Sequence, residues 1–375
     1  MIKHSLIFVL SASIFFVQAS DQVISLDQIK SHGAQRTITL KNYYGTFNIT
    51  EPVLCDLLEC PSVKRLDAIN QYGIDAYVNN FPRYTRYQHS IGVMCLLRRF
   101  GASEQEQIAG LLHDVSHTVF SHVGDHLFGV TRNTVNIRDS KDSYQDSIHA
   151  WFMAQTEIGD ILAKYGYTID DIIHKNGMFL MLEQDAPALC ADRIEYNLYG
   201  GLIESRLTKN DIAVILNALR YKDGNWFFVD VNAARKLADS ALFLTEYHFG
   251  TSWNGLLNRW AAEMLQRALD QNIVSTHDLH FSTDYVVWSV INESDDVIIK
   301  GLLQKLYHYK QCYRDVTVSD AYDCIIYPKF RGINPLVEQV DGMLVGLYDC
   351  YECYKSQFDT VKNVLAQGRY VQFVD

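Results

Sequence analysis

The feature that most constrains this fold is residues 113–122, His-Asp-Val-Ser-His-Thr-Val-Phe-Ser-His, which place three imidazoles and a carboxylate within about three helical turns. They close an apolar helix pattern, Glu104 to His113, which follows a Ser103 cap and turns Ile108, Leu111 and Leu112 toward a core. A His-Asp pair at such a helix end sits where an unpartnered carboxylate is costly, so the fold must bring other groups to it. Two candidates stand out. His89 lies upstream in Thr85-Arg86-Tyr87-Gln88-His89-Ser90, and Asp192 lies downstream in Cys190-Ala191-Asp192-Arg193-Ile194-Glu195-Tyr196. His89, His113, Asp114 and Asp192 together make a ligand set suited to one divalent transition-metal ion (Fe, Mn, Zn, Ni or Co), with positions left for water and substrate. Water on such an ion becomes a hydroxide nucleophile near neutral pH.

The rest of the chain reads as mainly α. Helical patterns recur at Ile91 to Gly101, Ile148 to Tyr165, Ala188 to Gly200, Asp211 to Leu219, Ala233 to Tyr247 and Leu256 to Leu269. Ile38 to Thr50 alternates apolar and polar residues and predicts one or two short strands before a helix start at Glu51-Pro52; Gly224 to Val229 predicts another strand. Cys324 to Tyr327 and Tyr370 to Val374 are β-branched or aromatic and predict a small C-terminal sheet. With 375 residues, 48% hydrophobic composition and no long linker or repeat, one compact core with a C-terminal appendage is the economical organisation.

Met1 to His4 is a short basic start, Ser5 to Val17 is apolar, and Val17-Gln18-Ala19 is a small-x-small cleavage signal, so residues 1–19 read as a secretory signal peptide. The expectation is export, periplasmic or secreted, with no membrane segment after cleavage. A formal charge of −11 argues against gripping long nucleic acid, while Arg65, Arg83, Arg86 and Arg193 near the candidate site suit a small phosphorylated ligand. An oxidising compartment invites disulfides among the eight cysteines, with Cys55–Cys60 and Cys312–Cys324 near enough to bridge locally. Cys55, Cys95 and Cys190, however, lie in apolar contexts where a free buried thiol is the ordinary outcome. Cys350-Tyr351-Glu352-Cys353 has redox or zinc-half-site spacing without a second pair.

The motif Arg86-Tyr87-Gln88-His89, preceded by Glu51-Pro52-Val53-Leu54, Pro61 to Leu66 and Gln71-Tyr72-Gly73, resembles the HD-domain superfamily of metal-dependent phosphohydrolases. Within it, the chain is similar to the branch of deoxynucleotide triphosphohydrolases with a sterile-alpha-motif partner domain. The resemblance covers roughly Gly45 to Thr283. It implies a helical HD-domain bundle with short strands near the N-terminus and in the C-terminal part. The expected organisation is a signal peptide (1–19), an N-terminal strand segment (20–50), an HD-domain helical core (51–310) and a C-terminal α+β appendage (311–375).

The same resemblance implies roles. His89, His113, Asp114 and Asp192 match the metal ligands. His117 and His122 fall where imidazoles contact phosphate and protonate the leaving oxygen, with His149 as the best counterpart of a further catalytic histidine. Arg86 and Arg193 resemble phosphate clamps, and Tyr196 and Gln71 match sugar-contacting positions. Three departures stand against triphosphohydrolase specificity. Relatives carry a His-Glu pair where this chain has His149-Ala150, or, in another alignment, Ser143-Tyr144; Tyr199-Gly200 replaces an Arg-Asp pair; and Tyr72 replaces a smaller apolar residue. The expected protein is therefore a metal-dependent phosphohydrolase of a small phosphate ester, nucleotides leading, with a homo-oligomer carried over from relatives. The rival is a non-catalytic protein that keeps the metal or nucleotide pocket as a sensor or interaction platform.

Overall fold

The structure, a computed structural model, describes residues 36–79, 81–129, 137–138, 143–173 and 177–374. The expected signal peptide lies outside them, as does the start of the 20–50 segment. Helices dominate, as the periodicity predicts.

Three helices carry the centre of the molecule. Arg86–Arg99 starts at a capping box: the Thr85 hydroxyl accepts the Gln88 N–H at 3.2 Å, and the Gln88 side chain accepts the Thr85 N–H at 2.9 Å. Ile91, Val93, Met94, Leu96 and Leu97 are all buried, so this helix is covered on every side. Glu104–Leu112 starts at Ser103, whose hydroxyl accepts the Glu106 N–H, and ends with His113 as its C-cap. The third helix, Ala191–Ile203, carries Asp192 in its first turn. Gly92 lets the first and third approach closely: a Cβ there would collide with the Glu195 carboxylate.

The strands fall into three small sheets. β1 (Ile38–Asn42) and β2 (Gly45–Ile49) form the expected N-terminal hairpin. β3 (Ile137–Arg138) belongs to a second sheet completed far downstream. β4 (Leu219–Lys222) and β5 (Asn225–Phe228) form a hairpin whose two turn residues, Asp223 and Gly224, both have positive φ, at 50° and 81°. β6 (Tyr313–Val316), β7 (Cys324–Tyr327) and β10 (Arg369–Phe373) join β3 in the order β3-β7-β10-β6. β8 (Leu336–Glu338) adds parallel to β5 and antiparallel to β9 (Leu344–Gly346).

These pairings tie residues 311–374 to earlier parts of the chain. A single hydrophobic cluster includes Ile38 and Leu97 together with Tyr354, Leu365 and Val371, so this segment packs into the shared core. The predicted helix Ile148 to Tyr165 is two helices, Tyr144–Ala154 and Glu157–Lys164, separated at Thr156, which is extended at φ −124° and ψ 171°. The predicted Ala233 to Tyr247 helix is Val231–Leu244, continued by a wide π-turn, Thr245–Phe249. All eight cysteines are free, and Cys350 and Cys353 are exposed. Among the described residues no helix is long and apolar enough to cross a membrane.

Candidate metal centre and active-site cavity

The ends of the three central helices bring the four expected ligands together. His89 Nε2 lies 3.1 Å from His113 Nε2 and 3.0 Å from Asp192 Oδ1; His113 Nε2 lies 3.7 Å from both Asp192 Oδ1 and Asp114 Oδ1. Asp114 Oδ2 stands 3.7 Å from His89 Nε2.

The tautomers follow from the opposite ring nitrogens. His113 Nδ1 donates to the Gly110 carbonyl at 2.8 Å. His89 Nδ1 donates to Glu195 Oε2 at 2.5 Å, and that buried carboxylate also accepts the Tyr44 hydroxyl at 3.0 Å and the Tyr84 hydroxyl. In neutral imidazoles, therefore, both Nε2 lone pairs face each other and two carboxylates, an arrangement that calls for a cation between them. The electrostatics agree. Burial opposes protonation of His89, but Glu195 and Asp192 outweigh it and push its pKa up to about 10. The donor set fits a divalent ion.

A strained backbone supports this centre from below. Phe120 and Ser121 have φ of 57° and 54°, a conformation non-glycine residues seldom adopt. Asp284, fully buried, accepts the Phe120 N–H at 2.7 Å and the Asn70 N–H at 2.8 Å. Ser121 Oγ donates to the Asn70 carbonyl at 2.6 Å and accepts Arg86 Nε at 2.8 Å. The result aims Arg86 at the site: Nη1 pairs with Asp114 Oδ2, while the buried Nη2 has no hydrogen-bond partner. Gly73 is required here, because a Cβ would collide with the Phe120 carbonyl 2.5 Å away.

All four ligands line one cavity of about 1290 Å³, as do His117, His122, His149, Arg86, Arg193, Tyr196 and Gln71. Their states differ from one another. His117 is buried, with Nε2 3.2 Å from Asp114 Oδ1; burial and then Arg86 push its pKa down to about 3, so it is neutral. His122, whose side chain is 42% exposed, is held by Asp125 at 3.0 Å. His149 donates Nε2–H to the Leu112 carbonyl at 2.9 Å, and burial lowers its pKa to about 4.

The expectation of four basic residues reaching for phosphate narrows here. Arg193 spends its guanidinium on Glu183 at 2.8 Å and on the Ala188 and Gln184 carbonyls at 2.7 and 2.6 Å, pinning the turn before its own helix. Arg65 is turned to the backbone, donating to Val115, His117 and Ser282 carbonyls. Arg83 pairs with Asp67 at 2.8 Å on the surface. Of the four, Arg86 Nη2 and Arg65 Nε are buried donors without a partner, and Arg86 is the one paired with a ligand carboxylate, Asp114.

Several residues that line the cavity or support it escaped the sequence reading. Glu195 could have been found, since its three-residue spacing from Asp192 puts both on one helical face. Asp284 and the group around the π-turn gave no signal, because their partners are remote in sequence. There His248 lies between Glu204, 3.1 Å from Nδ1, and Asp75, 3.4 Å from Nε2, and it packs on Tyr72 with ring centroids 4.8 Å apart. The Tyr72 hydroxyl sits 3.4 Å from where a Cβ on Gly200 would be, so these two departures fill one another's space.

Comparison with known proteins adds to this geometry. A family model described as HD domain matches residues 86–169. The chain is 32% identical over 300 residues to Uncharacterized protein YdhJ of Bacillus subtilis, covering 78% of this chain and 86% of that one. It is 34% identical over 229 residues to Metal-dependent phosphohydrolase cns2 of Cordyceps militaris, spanning 60% of this chain and 62% of that relative. Human Deoxynucleoside triphosphate triphosphohydrolase SAMHD1 matches at 35% over 92 residues, 20% of this chain and 15% of that protein. Among solved structures, a hypothetical protein from Aquifex aeolicus aligns with a TM-score of 0.64 at 17% identity, covering 85% of this chain and 93% of that one. A phosphohydrolase from Bacteroides thetaiotaomicron aligns at 0.62 and 15% identity, covering 89% and 98%. At these identities the structural likeness is one of fold.

Proposed function

The chain belongs to the HD-domain superfamily of metal-dependent phosphohydrolases, and from that premise we propose that it hydrolyses a small phosphate ester, with nucleotides as the leading substrate class. His89, His113, Asp114 and Asp192 would hold one divalent transition-metal ion (Fe, Mn, Zn, Ni or Co). Bound there, the ion supplies positive charge to polarise the phosphoryl group and to acidify a water.

The protein's own groups do the rest. Glu195 and the Gly110 carbonyl fix the two imidazoles so that Nε2 faces inward. Arg86, held by Ser121 and Asp114, donates its open Nη2–H to a phosphate oxygen. His122, partly exposed and oriented by Asp125, delivers a proton to the leaving oxygen, while neutral His117 braces Asp114. Gln71 and Tyr196 contact the alcohol part of the ester from the cavity wall. The observation that carries this reading is the meeting of two inward Nε2 lone pairs and two carboxylates beside a buried guanidinium N–H without a partner. The basic-then-apolar start supports export as part of the proposal, and assembly into a homo-oligomer is proposed from the family alone.

Metal analysis of the purified protein, paired with a phosphate-release screen across nucleotides and simple esters, tests it, with Asp114→Ala beside wild type. Bound metal and phosphate release that vanish together in the variant are the expected result. Metal without turnover of any ester would favour the sensor or platform reading, and absence of metal would sink both.

A further inference from the structure

We propose that Arg331 forms a second anion-binding point on the cavity wall, so that the preferred ester carries a further negative group, a carboxylate or a second phosphate, on its alcohol part. The proposal rests on the phosphohydrolase reading and narrows its substrate class.

Most charges of the cavity are answered within the protein. Arg86 has Asp114 and Arg193 has Glu183, while Asp125 has His122 and Asp75 has His248 and the Asn254 amide. Asp146 and Asp185 are exposed to water. Arg331 is the exception. It lines the cavity, its Nε is buried without a hydrogen-bond partner, and among the described residues no carboxylate stands within ion-pair reach of it. Arg65 and Arg235 also have an unpartnered Nε, but Arg65 is spent on three carbonyls, Arg235 stands 3.9 Å from Asp239, and neither lines the cavity. A guanidinium does not shed its proton, so a partly buried one without a counter-charge favours an anion that brings one.

The wall holds Arg331 ready for that role. Its Cζ lies over the Phe249 ring, 5.3 Å from the centroid, which occupies the flat face of the guanidinium and leaves its N–H edge for a carboxylate or phosphate. Just beyond it, the Ile333 carbonyl accepts the Tyr354 hydroxyl and the Asn334 N–H donates to the Pro187 carbonyl at 2.8 Å. These bonds fasten the segment to the turn that Arg193 pins through the Ala188 and Gln184 carbonyls. Tyr196 links the wall to the metal end, since it lies four residues after Asp192, one turn along the same helix, and lines the same cavity. Burial raises the Tyr196 pKa to about 12, and Arg331 is the strongest pull the other way, so the field of the guanidinium reaches that hydroxyl. An ester with its phosphate at the metal and Arg86 thus runs past Tyr196 and Phe249 and ends at Arg331.

Calorimetric titration of the metal-loaded full chain with three phosphonates, whose C–P bond resists hydrolysis, tests this without requiring turnover. The probes are benzylphosphonate, para-carboxybenzylphosphonate and para-xylylenebisphosphonate, with metal content measured after each titration. Wild type should bind at least one of the two doubly anionic probes about tenfold tighter than benzylphosphonate, and the tighter of the two identifies the second group as carboxylate or phosphate. Arg331→Gln should remove that advantage and change benzylphosphonate binding by about twofold or less. Arg331→Lys, which keeps the charge and loses the planar fork, should retain part of it, and it carries the comparison if the Gln variant fails to fold. Doubly anionic probes binding no tighter than benzylphosphonate in wild type overturn the proposal. So does an advantage that survives Arg331→Gln, or a loss common to all three probes. An ester screen on the same preparation separates the two readings: hydrolysis without the preference strikes this inference alone, and the preference without hydrolysis strikes the hydrolase reading alone.

Discussion

The two ends of the cavity are built on opposite terms. At the metal end three of the four ligands have a partner outside the set that fixes them: His89 has Glu195, His113 has the Gly110 carbonyl, and Asp114 has Arg86 and His117. At the end formed by Gln71, Tyr72, Asp75 and His248, buried polar atoms go without hydrogen bonds: Gln71 Oε1 and Asp75 Oδ1 have none, and His248 Nε2 has only the 3.4 Å contact with Asp75 Oδ2. Buried polar groups in folded proteins are nearly always satisfied. Unpaired atoms stand at both ends, Arg86 Nη2 and His117 Nδ1 beside the ligands and Gln71 Oε1 and Asp75 Oδ1 opposite, so the contrast lies in the fixing of the ligand side chains at the metal end. On the proposed function, reactivity and selectivity would occupy different walls of one cavity.

The sharpest way to break that division is Asp114→Ala, which should lower phosphate release by about a thousandfold or more and empty the metal site, read by turnover and elemental analysis. Next in size, Glu195→Gln should weaken metal binding by about 10–100-fold in a chelator competition, because it loosens the His89 ring without removing a ligand. For Asp284→Ala, urea unfolding should show a loss of about 2–4 kcal/mol, since a buried N–H and a partly buried one lose their acceptor. The smallest effect belongs to the other end. His248→Ala should change the relative kcat/KM of different esters by about tenfold or less with metal content intact. If His248→Ala also empties the metal site, the two ends are not separable.

Much of the metal end was legible because its signals are local. The His-Asp pair, the Ser103 cap and the Arg86 to His89 motif each fit within one helix boundary, where spacing determines which side chains share a face. Glu195 is legible by the same rule, three residues beyond Asp192. The strand at Gly224 to Val229 was visible from its residues, yet its partner β4 was hidden because Leu219 to Lys222 continues a helical pattern. The selective end was not legible. Asp75, His248 and Glu204 come from three separate elements and meet only through tertiary packing, and Asp284 reaches the HD segment across more than 160 positions of chain. The charge count likewise could not show that Arg193 and Arg65 would spend their guanidinium groups on backbone carbonyls and, for Arg193, on Glu183.

The pairing of β5 with β8 and of β3 with β7 also orders events during synthesis. The four metal ligands have all left the ribosome once Asp192 has emerged, whereas the wall bearing Lys329 and Arg331 and the strands that lock it follow more than a hundred residues later. The ligands thus come earlier in the chain than both their support at Asp284 and the wall that closes the cavity. Long-range strand pairing of this kind is slow to form, so closure of the substrate wall belongs to the late steps of folding.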